Sequence, residues 1–309
     1  MSLFPIINVP IDSEKNIEQL GTKAKFWFQQ QDLGLYLCKL PRPGTGEDWS
    51  EKVASELAAL LELPHADYEL GIYSEMKCVL SRSFLPNACS LIHGNELLGK
   101  TDALYGQINI SRFHAAAYTV EAVCAALEQA RCELPIGWNP LPEIRTPFDV
   151  FVGYLLLDAV IGNTDRHDEN WAIIEMWGES PQDRYLAPTF DHASSLGCHL
   201  TDQNRKRRLV TNDSGFTVEA YADKARSAFF EDRFALHPMS TLDVFRKVAE
   251  KSPVAAHVWQ RNLHAMEMEQ LNQIFAALPP ERCSSASLEF ARRIVLHNKS
   301  RLAAAAENR

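Results

Sequence analysis

The stretch from Phe148 to Ile161 constrains the fold of this chain more than any other, because almost all of its residues are apolar. A helix that is apolar on every side has to be packed on every side by other parts of the protein. The stretch contains Asp149 and Asp158 and is too short to span a bilayer. It therefore predicts a central buried helix that ends in the polar segment IGNTDRHDENW at 161–171.

Composition sets broad limits on the function. A chain of 309 residues can bury a large core, and 46% hydrophobic with 23% charged residues is typical of globular proteins. The net charge of -9 is opposite to that of dedicated nucleic-acid-binding proteins, so we expect no direct nucleic-acid contact. The seven cysteines include no CxxC pair, which argues against a zinc knuckle or a disulfide framework.

The chain shows no targeting or membrane segment. Its start, MSLFPIINVPIDSEKN, lacks the basic and apolar regions of a secretory signal peptide, and no apolar stretch is long enough for a membrane span. We therefore predict a cytoplasmic protein with reduced thiols. Secretion by a route that uses no such signal would leave no mark in this pattern.

The first part of the chain has the pattern of a small α+β lobe. Runs rich in aromatic and β-branched residues predict strands, and apolar residues at three- and four-residue steps predict one amphipathic helix between them. The predicted order is strand 25–30, strand 33–40, helix 48–63, strand 67–74 and strand 76–85.

The rest of the chain is predicted to be mostly helical. Helical periodicity predicts helices at 118–130, 148–161, 219–230, 241–251, 255–278 and 287–307. A hairpin of 170–177 and 184–188, closed by GESPQD, interrupts them. We expect a small N-terminal lobe over 1–90 and a helical lobe over 91–309, joined around Leu85–Gly99, where turn-forming residues cluster.

The polar segment after the central helix carries the first candidate functional group. Asp165 is a candidate general base, because a positioned carboxylate can accept a proton from a reacting hydroxyl. Taken alone it would be a turn residue, because turn aspartates are far commoner than catalytic ones, but Arg166, His167 and Asn170 share its short loop. His167 would either contact a phosphate or hold the loop in shape.

Two oxygen-bearing side chains are candidate metal ligands. Asn170 offers a carbonyl oxygen, and Asp191 a carboxylate at the end of the apolar run LAPTF. Mg²⁺ prefers such oxygen ligands and completes its octahedron with phosphate and water. An Asp, an Asn a few residues later and a second Asp about twenty residues on match the minimal set for metal-assisted phosphoryl transfer. The alternative for Asp191 is the N-cap of a helical turn.

Lys39 is the candidate contact to nucleotide phosphates. It lies in the strand-like run LYLCKL, from which it could point into a cleft and pair with a glutamate of the following helix. Glu56 is the preferred partner and Glu51 the rival, since spacing alone does not distinguish them. The alternative is a solvated lysine on a strand.

Two weaker signals complete the set. Gly21, Thr22 and Lys23 precede the first clear strand, and a turn at the glycine could cradle phosphate with backbone amides. The basic run Asn204–Arg208 could steer an acidic or phosphorylated substrate, although a solvated loop is the simpler interpretation.

The motifs resemble those of a known family. DRHDEN at 165–170 matches the DRHxxN loop of phosphatidylinositol 3/4-kinase-like enzymes, and the context at 157–171 and 186–197 resembles the HipA-like bacterial serine/threonine kinases. Within these the chain is most similar to compact, single-chain members of the CtkA type. The resemblance implies a two-lobed, protein-kinase-like α+β fold with a β-rich small N-lobe and a mostly helical C-lobe.

The resemblance also implies an activity and a role for each matching residue. The activity is phosphorylation of Ser or Thr in a protein, with ATP and Mg²⁺ as cofactors and with autophosphorylation. The implied catalytic residues are Asp165 and His167, and the implied metal ligands are Asn170 and Asp191. The implied nucleotide contacts are Gly21, Thr22, Lys23, Lys39, Glu56 and the hinge residues Ser83, Phe84 and Leu85.

Three alternatives to a protein kinase stay open at this point. The same loop serves lipid kinases, so a phosphatidylinositol-type lipid is the alternative acceptor. His167 and Asp168 could be the HD pair of an all-α metal phosphohydrolase. A non-catalytic nucleotide-binding scaffold is the third possibility. No motif specifies the substrate protein or an oligomeric state.

Overall fold

The computed structural model describes residues 2–11, 16–17, 24–30, 34–102, 105, 116–178 and 183–307. Within these ranges the chain forms nine strands and ten α-helices, and the strands belong to two separate sheets. None of the helices in these ranges is both long enough and apolar enough to cross a lipid bilayer.

The first sheet has six strands and one helix packed on it. The strand order is β1-β5-β6-β4-β3-β2, and every pairing is antiparallel except the parallel pair of β1 and β5. The strands are β1 (Ile6–Val9), β2 (Asn16–Ile17), β3 (Lys25–Gln30), β4 (Gly34–Lys39), β5 (Tyr68–Tyr73) and β6 (Met76–Arg82), and the helix is α1 (Glu47–Leu60).

Alternation of buried and exposed side chains explains how β3 sits in this sheet. Phe26 and Phe28 point into a small core that also contains Tyr36 and Leu80, whereas Lys25 and Trp27 stay partly exposed. The predicted order of strand, strand, helix, strand and strand is confirmed, with β1 and β2 added at the edges of the sheet.

The second sheet belongs to the helical part of the chain. Its three antiparallel strands are β7 (Cys89–His93), β8 (Ala172–Met176) and β9 (Arg184–Leu186), with β8 in the centre. The predicted hairpin is confirmed as the pairing of β8 with β9, although residues 179–182 of its connection lie outside the described residues.

Nine further helices make up most of the remaining described chain. In chain order they are α2 (Gly94–Thr101), α3 (Val120–Ala130), α4 (Pro147–Ile161), α5 (Asp202–Val210), α6 (Val218–Ala222), α7 (Thr241–Lys251), α8 (Pro253–Ala265), α9 (Met268–Ala276) and α10 (Ser285–Glu307).

The central helix α4 is buried along its length, as its sequence predicts. Thr146 caps its N-terminus by accepting a hydrogen bond from the Asp149 amide, and Gly162 ends it in the left-handed conformation at φ 62°. The main hydrophobic core joins α4 to Leu57 of α1, so one continuous core connects the helix that carries the polar loop with the helix beside the first sheet.

Three predictions about secondary structure are wrong in part. The predicted helix 219–230 ends at Ala222, because the amides of Ser227 and Phe230 bond to carbonyls of Met239 and Tyr118 instead. The predicted helix 255–278 is two helices, since Glu267 caps a new helix through its reciprocal bonds with Gln270.

The basic run Asn204–Arg208 is the third case, because it lies in helix α5 rather than in a loop. The Thr201 side chain caps the N-terminus of this helix by accepting a hydrogen bond from the Asn204 amide. Arg205 is buried and donates to the carbonyl oxygens of Gly197 and Cys198. Part of the basic run therefore supports the fold instead of facing solvent.

Candidate active site

The polar loop between α4 and β8 is fixed where it leaves the helix. Asn163 donates from its side chain to Asp158 over 2.8 Å and accepts the Asp165 amide over 3.1 Å. The side chain of Asp165 is 30% exposed, and its Oδ2 accepts a hydrogen bond from the Ser194 hydroxyl over 3.3 Å. A carboxylate with this exposure is accessible from solvent.

Arg166 is the structural centre of the loop. Its guanidinium is fully buried and makes two hydrogen bonds with Asp158 of α4, at 2.7 and 2.9 Å. It also donates to the Asn170 carbonyl over 2.6 Å and to the Phe190 carbonyl over 3.3 Å. A buried charge needs such compensation, so this pair ties the loop and the segment before Asp191 to the central helix.

Asn170 is held in a defined orientation beside Asp165. Its amide nitrogen Nδ2 donates to the Asp165 carbonyl over 2.6 Å. The other end of the same amide, Oδ1, is then the atom available as a metal ligand. Asn170 is only 5% exposed, so its side chain has little freedom to turn.

Asp191 adopts a backbone conformation that L-amino acids rarely use, with φ 60°. Its amide donates to the Tyr68 hydroxyl over 3.1 Å, and its carboxylate Oδ1 lies 3.2 Å from the ammonium of Lys39. Strain of this kind persists only where surrounding contacts impose it, and it is common at functional sites. Here contacts from β4 and β5 impose it.

The partner of Lys39 differs from the preferred prediction. Glu56 is bound by Lys52 at 2.8 Å, whereas Glu51 is completely buried and interacts electrostatically with Lys39. The preference for Glu56 is therefore wrong, and Glu51 is the glutamate that faces the site. The two residues lie five positions apart on α1, about 140° around the helix, so they cannot face the same neighbour.

Charge pairing dominates the electrostatics of this cluster. Burial works against the charged form of Lys39, but Asp191, Tyr68 and Glu51 outweigh it and raise the pKa of Lys39 well above its ordinary value. Burial would likewise raise the pKa of Glu51, yet Lys39 and His192 hold it below its ordinary value. Both groups are therefore charged at neutral pH.

His192 follows Asp191 and lies deep in the interior. Its amide donates to Glu51 Oε1 over 2.6 Å, and its ring is 1% exposed. Burial lowers the pKa of His192 below the ordinary value, so its imidazole is neutral at pH 7.

The predicted hinge contacts the segment that carries Asp191. The ring of Phe84 stacks on that of Phe190 with centroids 5.9 Å apart. Leu85 packs with Phe84 against a cluster that contains Ala172 and Ile174 of β8. The Ser83 hydroxyl accepts a hydrogen bond from the Leu85 amide over 3.3 Å. Their role as nucleotide contacts stays a prediction, and Gly21, Thr22 and Lys23 lie outside the described residues.

His167 makes its described contacts within the loop. Its Nε2 lies 3.7 Å from Asp165 Oδ1, and its Nδ1 accepts the Glu169 amide over 3.2 Å. Its carbonyl accepts the Asn170 amide. These contacts agree with the alternative in which His167 holds the loop in shape.

The oxygen donors of the site fit a cation that brings further ligands with it. Among the described residues there is no group of three or more His, Cys, Asp or Glu side chains placed to hold a metal. Asn170 and Asp191 would therefore supply two oxygens, and nucleotide phosphates and water the others. The buried Glu51 Oε2 has no hydrogen-bond partner in the described chain.

Comparison with solved structures identifies the fold. The crystal structure of the proinflammatory kinase CtkA of Helicobacter pylori superposes with a TM-score of 0.74 at 19% sequence identity, covering 98% of each chain. This chain has a protein-kinase-like fold. HipA of Shewanella oneidensis MR-1, solved with HipB and operator DNA, gives a TM-score of 0.46 at 14% identity over 97% of this chain and 67% of that chain. No family model and no curated protein matches the sequence.

The kinase-like fold confirms the predicted α+β architecture and leaves no place for the all-α HD alternative. Sequence reasoning missed the support of the site by Asp158, Tyr68 and His192. A usable signal existed for Asp158, because a carboxylate inside an otherwise apolar helix must find a buried partner.

Proposed function

We propose that this protein is an ATP-dependent kinase that phosphorylates serine or threonine in a protein substrate. One observation carries the proposal. In a kinase-like fold, Lys39 of the first sheet meets Asp191 at 3.2 Å, while Asn170 is hydrogen-bonded to Asp165 at 2.6 Å. Arg166 donates to the carbonyls of both Asn170 and Phe190, so the two pairs lie on segments that are joined through one side chain. This supports assigning phosphate binding, cation binding and proton removal to one site.

The proposed roles follow from the chemistry of each group. Asp165 would orient the acceptor hydroxyl and accept its proton as the oxygen attacks the γ-phosphorus, while the bond from that phosphorus to the bridging oxygen breaks and ADP leaves. Asn170 and Asp191 would hold Mg²⁺, which when bound neutralises charge on the phosphates. Lys39 would neutralise phosphate oxygens, and Glu51 would keep Lys39 charged and oriented. Burial of Asn170 and Glu51 fixes these positions before substrate binds.

The acceptor is proposed to be a protein rather than an anionic lipid. The segment His192–Thr201, which follows the proposed metal ligand, contains no Lys or Arg. The loop itself carries Asp165, Asp168 and Glu169, while its single arginine, Arg166, is buried in a pair with Asp158. A phosphoinositide headgroup would meet carboxylates at this loop, whereas the exposed cations Lys206 and Arg207 lie further along the chain, in α5.

The test is transfer from radiolabelled ATP to a general protein substrate, to phosphoinositide vesicles and to the protein itself. We expect Mg²⁺-dependent label in protein, including autophosphorylation, and none in lipid. Strong lipid labelling without protein labelling would make the lipid-kinase alternative correct. ATP binding without any transfer would support the scaffold alternative. Asp191→Ala should weaken Mg²⁺-dependent nucleotide binding, which a fluorescent ATP analogue measures.

A further inference from the structure

A buried row of polar groups connects the catalytic loop with helix α1. Arg166 Nη2 donates to Thr189 Oγ1 over 3.0 Å, and Thr189 Oγ1 lies 2.8 Å from His192 Nε2. The His192 amide then donates to Glu51 Oε1 over 2.6 Å. None of these four residues is more than 2% exposed. We call Arg166, Thr189, His192 and Glu51 the buried relay.

The hydrogen bonds of His192 are compatible with a proton on Nδ1. Thr189 Oγ1 accepts from Arg166 and keeps its own hydroxyl hydrogen, which it can donate to His192 Nε2. The neutral imidazole then has its hydrogen on Nδ1. Nδ1 faces Glu51 Oε1 at 3.6 Å, which is too long for a hydrogen bond, and it has no other partner in the described chain.

The relay lies next to the strained residue of the site. The backbone of Asp191 has φ 60° and is held by two hydrogen bonds. The Asp191 amide donates to the Tyr68 hydroxyl, and the amide of the next residue, His192, donates to Glu51. Any side chain at 192 would keep the second of these bonds, because it is made by the backbone. Only an imidazole, or a group of similar hydrogen-bonding capacity, also reaches Thr189 and so connects the segment to Arg166.

We infer that His192 is a positioning residue that joins Glu51 of α1 to the Arg166 support of the catalytic loop and so holds Asp191 ready to bind a cation. The inference rests on the proposed kinase function. It also explains the triplet Asp-His-Ala at 191–193, where protein kinases have Asp-Phe-Gly. A phenylalanine can move between apolar pockets, whereas a buried, hydrogen-bonded histidine fixes the segment in one position.

The first experiment replaces the imidazole by an apolar ring. Loss of a group that orients a metal ligand commonly costs 10- to 100-fold in metal affinity or activity, so we expect His192→Phe to lower kcat by roughly that factor. The Mg²⁺ concentration for half-maximal activity should rise, while metal-free nucleotide binding should stay close to that of the wild type. A second readout needs no turnover. The thermal stabilisation by Mg²⁺ with a non-hydrolysable ATP analogue should shrink.

Two further variants separate the relay from a general packing effect. His192→Gln keeps a side-chain acceptor for Thr189 and the backbone donor for Glu51, so it should restore most of the lost kcat. Thr189→Val removes only the hydroxyl bridge. If the relay acts as a unit, Thr189→Val combined with His192→Phe will lower kcat no further than the worse single variant. Additive losses, or no rescue by glutamine, would overturn the inference.

Asn298→Leu is the matched control. Asn298 is 3% exposed, and its described hydrogen bonds, to the Val160 carbonyl and from Arg301, involve no relay residue, so its loss should lower stability without changing the Mg²⁺ dependence. A wild-type protein that transfers no phosphate would refute the proposed function itself. An active wild type with an equally active His192→Phe variant would refute only the role of His192.

Discussion

The helical face and the sheet face of the candidate site are held by different forces. On the helical side, the Arg166–Asp158 pair is buried and bonds the loop to α4 through two contacts of 2.7 and 2.9 Å. On the side of the first sheet, Lys39 makes a single contact with Asp191, and these side chains are 12% and 34% exposed. The helical face is therefore completed by folding, whereas under the proposed function the Lys39 contact would rearrange on binding of phosphates and a cation.

The largest expected effect is on the rate of phosphoryl transfer, which a change on the helical face should lower and a change on the sheet face should affect through nucleotide binding. Asp165→Ala should lower phosphoryl transfer by roughly 100- to 10,000-fold, because the acceptor loses its base. Lys39→Met should instead weaken nucleotide binding, because a phosphate contact is lost. Initial rates and titration with a fluorescent ATP analogue measure the two effects. Equal losses of binding in both variants would contradict the division of roles.

The second prediction concerns the stability of the helical face. Arg166→Met leaves the Asp158 carboxylate buried without its partner, so we expect a loss of about 3–5 kcal/mol in the free energy of unfolding. Chemical denaturation measures it. The double variant Arg166→Met with Asp158→Leu removes both charges and should recover part of the loss. A double variant no more stable than the single one would show that the charge pair is not the cause.

The third prediction uses pH to examine the face of the first sheet. The pKa of Glu51 is lowered, since Lys39 and His192 outweigh its burial. Its ionised form therefore stabilises the fold above the ordinary glutamate pKa of about 4.3, and this contribution is lost as pH falls through the lower, folded-state pKa. Glu51→Gln should lower the Tm at pH 7, and the difference from wild type should shrink below pH of about 4. A constant difference would contradict the assignment.

The smallest expected effect lies at the Ser194 hydroxyl, which donates to Asp165 over 3.3 Å. Without this hydrogen bond Asp165 is less well oriented, which should raise the activation free energy by about 1 kcal/mol. Ser194→Ala should therefore lower kcat by roughly fivefold with an unchanged KM for ATP. Ser194→Thr keeps the hydroxyl and serves as the control. A loss as large as that of Asp165→Ala would place Ser194 in the chemistry itself.

The sequence predicted local features well where one pattern dominated. The apolar run of α4, the strands β3 to β6 and the β8–β9 pairing all follow from periodicity within a short window. The prediction of a helix over 219–230 was wrong because two amides in that range donate to the distant backbone carbonyls of Tyr118 and Met239. No window of local sequence contains that competition.

The sequence by itself determined the chemical groups of the candidate site, since an Asp, an Asn and a second Asp at this spacing limit what the loop can bind. Only the tertiary structure decided which groups meet: Glu51 rather than Glu56 beside Lys39, and Arg166 as a buried support. The physical reason is that residue type sets chemistry, whereas the rotation of α1 and the packing around α4 set where each side chain points.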